Sequence, residues 1–174
     1  MTMATKLSFI KNQNGAAGAE MALMLPLLLV LMFGPFELAN YFWTEHKVVK
    51  GVRDGARYAA RLNFSNFECG ADICDADIET TIKNVTLSGS IDGGTPNIAD
   101  WDADDIDVQV LTRDEALDGS GDSAITTGIY RGMPNAPIVQ VTTTFTYGPL
   151  FEALGFDATD ITVSASSESA VMGI

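Results

Sequence analysis

Gly15-Ala-Ala-Gly-Ala-Glu-Met-Ala-Leu-Met-Leu-Pro-Leu-Leu-Leu-Val-Leu-Met-Phe-Gly-Pro-Phe-Glu37 decides the architecture of this chain. The stretch holds a small-residue junction, one acid at the mouth of an apolar run, and the run itself. No charged side chain occurs from Met21 to Phe36. Those sixteen residues, if helical, rise about 24 Å, slightly short of a hydrocarbon core of about 30 Å. The flanks, Ala16 to Glu20 and Leu38 to Trp43, make the helix long enough to span. A helix satisfies its own backbone in lipid, so the stretch reads as one membrane-spanning helix.

Outward from the run, charge is distributed unevenly. The 174 residues carry a formal net charge of −13. Of 23 acids, 20 lie after residue 50, against six Lys or Arg. That excess argues against nucleic acid or an anionic lipid surface as a partner. Lys6 and Lys11 are the only charges before Glu20. Positive charges counted near the helix ends do not by themselves favour an inside N-terminus. The very short basic tail and the large acidic remainder nevertheless read as cytoplasmic and translocated respectively. Tyr41, Phe42 and Trp43 would then lie at the outer interface, where amphipathic rings are enriched.

A basic tail before an apolar run also fits a cleaved secretory signal. No A-x-A site follows the run, however, and Phe36-Glu-Leu-Ala-Asn-Tyr is bulky and charged. The small residues precede the run, so a cut there would remove the leader and keep the helix. This arrangement resembles a class III signal, the type cut by prepilin peptidases. Cleavage after Gly15 would make Ala16 the new N-terminus and put Glu20 at the fifth position. In the first helical turn Glu20 would face unpaired N–H groups and the positive end of the dipole. Its second reading is assembly: it would neutralise the N-terminal ammonium of a neighbouring subunit and set the register between packed helices.

From Gly15 to about Arg61 the chain resembles the TadE-like family, minor pilins or pseudopilins of tight-adherence (Flp-type) pilus systems. The matching residues are Gly15, Glu20, Leu25-Pro26-Leu27-Leu28, Gly34, Glu37 and Val52-Arg-Asp-Gly-Ala-Arg-Tyr-Ala-Ala60. Val139-Gln-Val-Thr-Thr-Thr-Phe-Thr-Tyr147, Pro149-Leu-Phe151 and Ile161-Thr-Val-Ser-Ala-Ser166 resemble the family's closing strand pair. Met21 departs from the usual aromatic residue, and Pro35 from a branched aliphatic. The resemblance implies a bitopic inner-membrane protein, N-terminus cytoplasmic and C-terminal domain periplasmic. Its implied partners are a prepilin peptidase, other pilin and pseudopilin subunits, and inner-membrane lipid. Whether such a subunit enters an extracellular pilus or stays at its base is left open.

Pro26 lacks an N–H and is expected to kink the helix or loosen a turn. Gly34-Pro35 is a second expected break, either a simple kink or a local melt used in assembly. From Thr44 to Leu62 the helix should continue beyond the membrane. Val48 or Val49, Val52, Ala56 and Ala59 recur at helical spacing, with Gly51 and Gly55 beside them. Such a small-residue stripe admits close approach by this chain's own sheet or by another subunit. Asn63 to Glu68 reads as a loop. Asp75 can cap a short helix from Ala76 to about Val85. Ile106, Val108 and Val110 alternate with polar neighbours as a half-buried strand. Arg113 to Asn135 reads as a long polar loop. Ile138 to Tyr147 is the clearest strand, and Ile161 to Ala165 a last strand before a small-residue tail. The fold class is therefore α+β: a long N-terminal helix packed on a small antiparallel sheet, as in pilins. The expected division is a leader over 1–15, a transmembrane and extended helix over 16–62, and a periplasmic head over 63–174.

Cys69 and Cys74 form a C-x4-C pair. On the exported side a local disulfide is expected; the alternative is two free thiols or half a metal site. With one His and no second Cys pair, the chain cannot close a zinc site by itself. Asp100-Trp-Asp-Ala-Asp-Asp-Ile-Asp107 imitates the start of a calcium loop. Asp105 replaces the required turn Gly and Leu111 the closing Glu, so the EF-hand reading fails, leaving a looser calcium site or a solvated acidic turn. His46 has no nucleophile motif around it, Gly119-Ser-Gly-Asp-Ser123 is not a G-x-S-x-G elbow, and no phosphate loop occurs. The expectation is no enzyme, no cofactor and no small-molecule substrate. The competing expectation is an exported acidic binding or adhesion domain on an uncleaved anchor, with calcium as a conceivable ligand.

Overall fold

The computed structural model describes residues 14–113, 125, 128–133, 135–152 and 160–173. Helix α1 (Asn14–Ala59) is 46 residues long, about 69 Å at 1.5 Å per residue. It runs without interruption through Pro26 and Pro35, so the expected breaks at Pro26 and Gly34-Pro35 do not divide it. Each proline removes one N–H, and the many remaining backbone bonds of so long a helix hold it together. The helix ends at Ala59, three residues short of the expected Leu62. Ala60 N still donates to Ala56 O at 3.0 Å before the chain turns.

The expected loop after α1 contains a short 3-10 turn, Phe64–Phe67. Asn63 caps it by accepting from Ser65 N at 3.0 Å, and Phe67 is buried. Helix α2 (Ala76–Ser88) begins as the sequence indicates: the Asp75 carboxylate accepts from Asp77 N at 2.9 Å. It continues past Val85 to Gly89, whose φ of 79° gives a left-handed cap that side chains resist. A second 3-10 turn, Ala103–Asp105, leads into the sheet.

Three antiparallel strands follow: β1 (Ile106–Arg113), β2 (Ala136–Thr146) and β3 (Thr162–Ala170), in the order β1-β2-β3. Val108 pairs with Val141, and Phe145 with Val163. One face buries Val108, Val110, Val139, Val141, Phe145 and Val163 against α1 and α2. The other is polar, with Gln140 donating to Glu168 at 3.0 Å and Thr142 bonded to Ser166. The small-residue tail expected after Ala165 is strand instead. Its Ser and Glu residues have weak strand preference, but pairing with the long β2 imposes the conformation. Beyond β3, Val171 N donates to Pro137 O at 3.0 Å and Met172 N to Ala60 O at 2.7 Å, tying the end of the sheet to the end of α1. Most of the polar span expected as a loop, Arg113 to Asn135, lies outside the described residues.

The observed class is α+β, a long N-terminal apolar helix on a three-stranded antiparallel sheet. The core seam on α1 is Val48, Val52, Ala56 and Ala59, all almost fully covered. Burying each valine contributes about 1.5–3 kcal/mol. Trp101 fills the space between α1 and the sheet, stacks on Phe145 at 5.9 Å and donates from Nε1 to Thr143 Oγ1 at 2.9 Å.

Candidate functional site

The two halves of α1 face different surroundings. Every residue from Gly15 to Met32 is exposed, including Leu23 at 80%. Val48, a few turns on, is 0% exposed. The bare half is apolar and uncharged after Glu20, and α1 is long and apolar enough to cross a membrane once. The head begins where that surface ends: Phe33 meets Phe151 with ring centroids 4.9 Å apart.

One turn above that contact stands Glu37, the acid that closes the apolar run. Its carboxylate is a clasp. Oε1 accepts from the Tyr147 hydroxyl at 2.7 Å. Leu150 N donates to Oε1 and Oε2 at 3.0 and 3.1 Å, and Phe151 N to Oε2 at 3.1 Å. Asn40 Nδ2 donates to the same Tyr147 oxygen at 2.7 Å, and Tyr41 packs edge-on to that ring. A helix acid thus holds the far end of β2 and the turn beyond it. The Tyr147 phenol, deprived of water by burial and donating to an anion, is pushed up to about 12.

The predicted site residues are spread along α1 and the head. Gly15, Ala16 and Glu20 lie in its exposed first turns. Within the described span of α1, Asn14–Ala59, Glu20 lies beyond the first turn on the exposed apolar half. Glu20 has no hydrogen bond or ion pair to any described residue. Pro26, Gly34 and Pro35 lie on the bare half or at its edge, and nothing approaches Gly34 within 4 Å. Cys69 and Cys74 are joined as a disulfide in the connection between α1 and α2. His46 is exposed on α1.

The acids near Asp100 do not converge. Asp105 turns back to accept from Asp102 N at 3.0 Å, closing a capping box that starts the 3-10 turn. Among the described residues no group of three or more His, Cys, Asp or Glu is placed to hold a metal. Two shallow grooves beside α1, about 270 and 230 Å³, are lined by residues such as Lys47, Asn97 and Gly51 or Tyr147, without a nucleophile and base in contact.

Sequence reading missed Glu37 as a functional residue, treating it as the end of the apolar run. The available signal was the run itself: an acid bounding an uncharged membrane segment requires donors.

The fold and this surface define an α+β head clasped to a long helix that, among the described residues, is the one long and apolar enough to cross a membrane. The family model described as TadE-like protein matches residues 15–57, the bare half of α1, the Glu37 turn and most of the core seam. That match covers about a quarter of the chain and makes it similar to Tad pilus-associated, pilin-like proteins. No match was found among curated proteins or among solved structures.

Proposed function

We propose that this chain is a minor pilin or pseudopilin that takes part in assembling a tight-adherence pilus from the inner membrane. The observation that carries the reading is the division of α1. From Gly15 to Met32 it is a bare apolar rod within the family match, and the head uses it only from Phe33 onward. A membrane anchor alone needs the apolar rod. A subunit that leaves the membrane needs, in addition, a rod whose lipid contacts can be exchanged for helix contacts with other pilins. A prepilin peptidase removes residues 1–15, leaving Ala16 as N-terminus and Glu20 in the first turn. The head faces the periplasm and meets other pilus components. The chemistry is assembly, with no catalytic role for the subunit.

The test is the intact mass and N-terminal sequence of the protein recovered from its host's membrane. A start at Ala16 is expected. A start at Met1 would reduce the chain to an anchored exported domain, and a start beyond residue 36 would make it a secreted one.

A further inference from the structure

We infer that the turn Pro149-Leu150-Phe151 is a second membrane contact, inserting Leu150 and Phe151 into the outer boundary of the bilayer beside the helix. The inference rests on the reading of α1 as membrane-spanning and specifies how the head sits on the lipid.

Depth along α1 is the first argument. From Ala16 to Phe33 a helix rises about 26 Å, and to Glu37 about 32 Å. A hydrocarbon core of about 30 Å that starts at Ala16 therefore ends between these two residues. Phe151 packs on Phe33 with ring centroids 4.9 Å apart, so its ring lies close to that boundary. Leu150, next to it in sequence and bonded through its N–H to Glu37, is 61% exposed, and Phe36, the residue before Glu37, is 62% exposed. Ile161, whose carbonyl accepts from Tyr147 N at 2.9 Å, adds a further exposed apolar side chain at the base of the turn. In water these groups would form an isolated apolar patch; next to an anchor they are continuous with its lipid-facing surface.

Backbone accounting is the second argument. Irregular backbone is tolerated at membrane depth only if its polar groups are satisfied. Pro149 has no N–H. Leu150 N and Phe151 N both donate to Glu37. Three consecutive residues thus present no unpaired amide to lipid. The same bonds, with the Tyr147 hydroxyl, solvate the Glu37 charge where water thins out. Neither the acid nor the turn suits that depth alone; together they do. Glu152, exposed and next in sequence, limits the insertion to the headgroup–acyl boundary. With a chain of net charge −13 the contact is apolar and independent of anionic lipid.

The test places one thiol at a time in the full chain, where the native cysteines are paired. Leu150→Cys, Leu31→Cys and Thr80→Cys are labelled with an environment-sensitive fluorophore and reconstituted in phosphatidylcholine–phosphatidylethanolamine vesicles. Thr80 is exposed on α2 and scores the heads that face outward. The Leu150 label is expected to be quenched by shallow lipid-attached nitroxide and to be several-fold less quenched by iodide than the Thr80 label. Iodide quenching equal to that at Thr80 overturns the inference while a lipid-quenched Leu31 label leaves the anchor standing. Protection from iodide without nitroxide quenching also overturns it, assigning the turn to contact with a second copy. A Leu31 label beyond reach of lipid nitroxide removes the membrane reading and the inference with it.

Discussion

Gly51 and Gly55 show how narrowly α1 is fitted. A Cβ at Gly55 would collide with the Thr86 hydroxyl, and one at Gly51 with the Thr86 carbonyl and, at 2.9 Å, Trp101. These obstacles are a neighbouring helix and a fully buried indole, so they cannot yield cheaply. Gly55→Ala is expected to destabilise the head by about 1–3 kcal/mol through overpacking. Gly34→Ala, with open space around it, should leave the head unchanged or stabilise the helix by about 0.5–1 kcal/mol. Chemical denaturation of the two variants in one detergent compares them directly; equal midpoints would contradict the packing argument.

Tyr147 supplies a pH dependence. Its phenol ionises near 10.0 when unfolded and about 12 in the native head, because burial and then the Glu37 hydrogen bond favour the neutral form. Below pH 10 both states are protonated and the stabilisation is fully present. Between the two values the unfolded state loses its proton first, so stability declines as pH rises and is lost through about 12. In an alkaline titration followed by tyrosinate absorbance, one of the four tyrosines should ionise late. Tyr147→Phe should abolish that late step, and its persistence would assign the step elsewhere.

At the scale of elements, α1 is both long and apolar enough to cross a membrane and half of a core. Its bare half is available to lipid or to other helices, and Glu20 is the only charge on it. If Glu20 pairs with the new N-terminus of a neighbour, Glu20→Ala should leave membrane insertion intact, since it removes a charge from the rod. It should lower piliation and co-purification with the major pilin. Normal piliation in that strain would dispose of the pairing.

The strands differ in how openly the sequence declares them. β1 and β2 alternate β-branched or aromatic residues with polar ones, and the buried face of β2 is the one the pattern indicates. β3 was legible only to Ala165, since Ser166-Ser-Glu-Ser-Ala170 is strand by pairing and not by preference. The stripe on α1 was legible as a place of close approach. That Thr86 of α2, as well as the sheet, would fill it was not, because spacing records room and not its occupant.

For the whole molecule, what escaped the sequence is long-range. The Glu37–Tyr147 bond joins residues 110 positions apart, and no local pattern encodes such a meeting. Conversely, the α+β class and the position of the long apolar helix follow from local patterns alone, the uncharged run and the alternating strands.

The closure of β3 onto α1 also orders events in time. Synthesis from N to C delivers the helix first, and β3 emerges after every other described element. Until Val163 and Val171 arrive, the seam at Val48, Val52 and Ala56 lacks part of its cover, and Ala60 O lacks the Met172 amide. The core of the head therefore closes only once β3 has been made. A chain interrupted before β3 keeps that seam open, and an open seam is where proteases and aggregation find an unfinished chain.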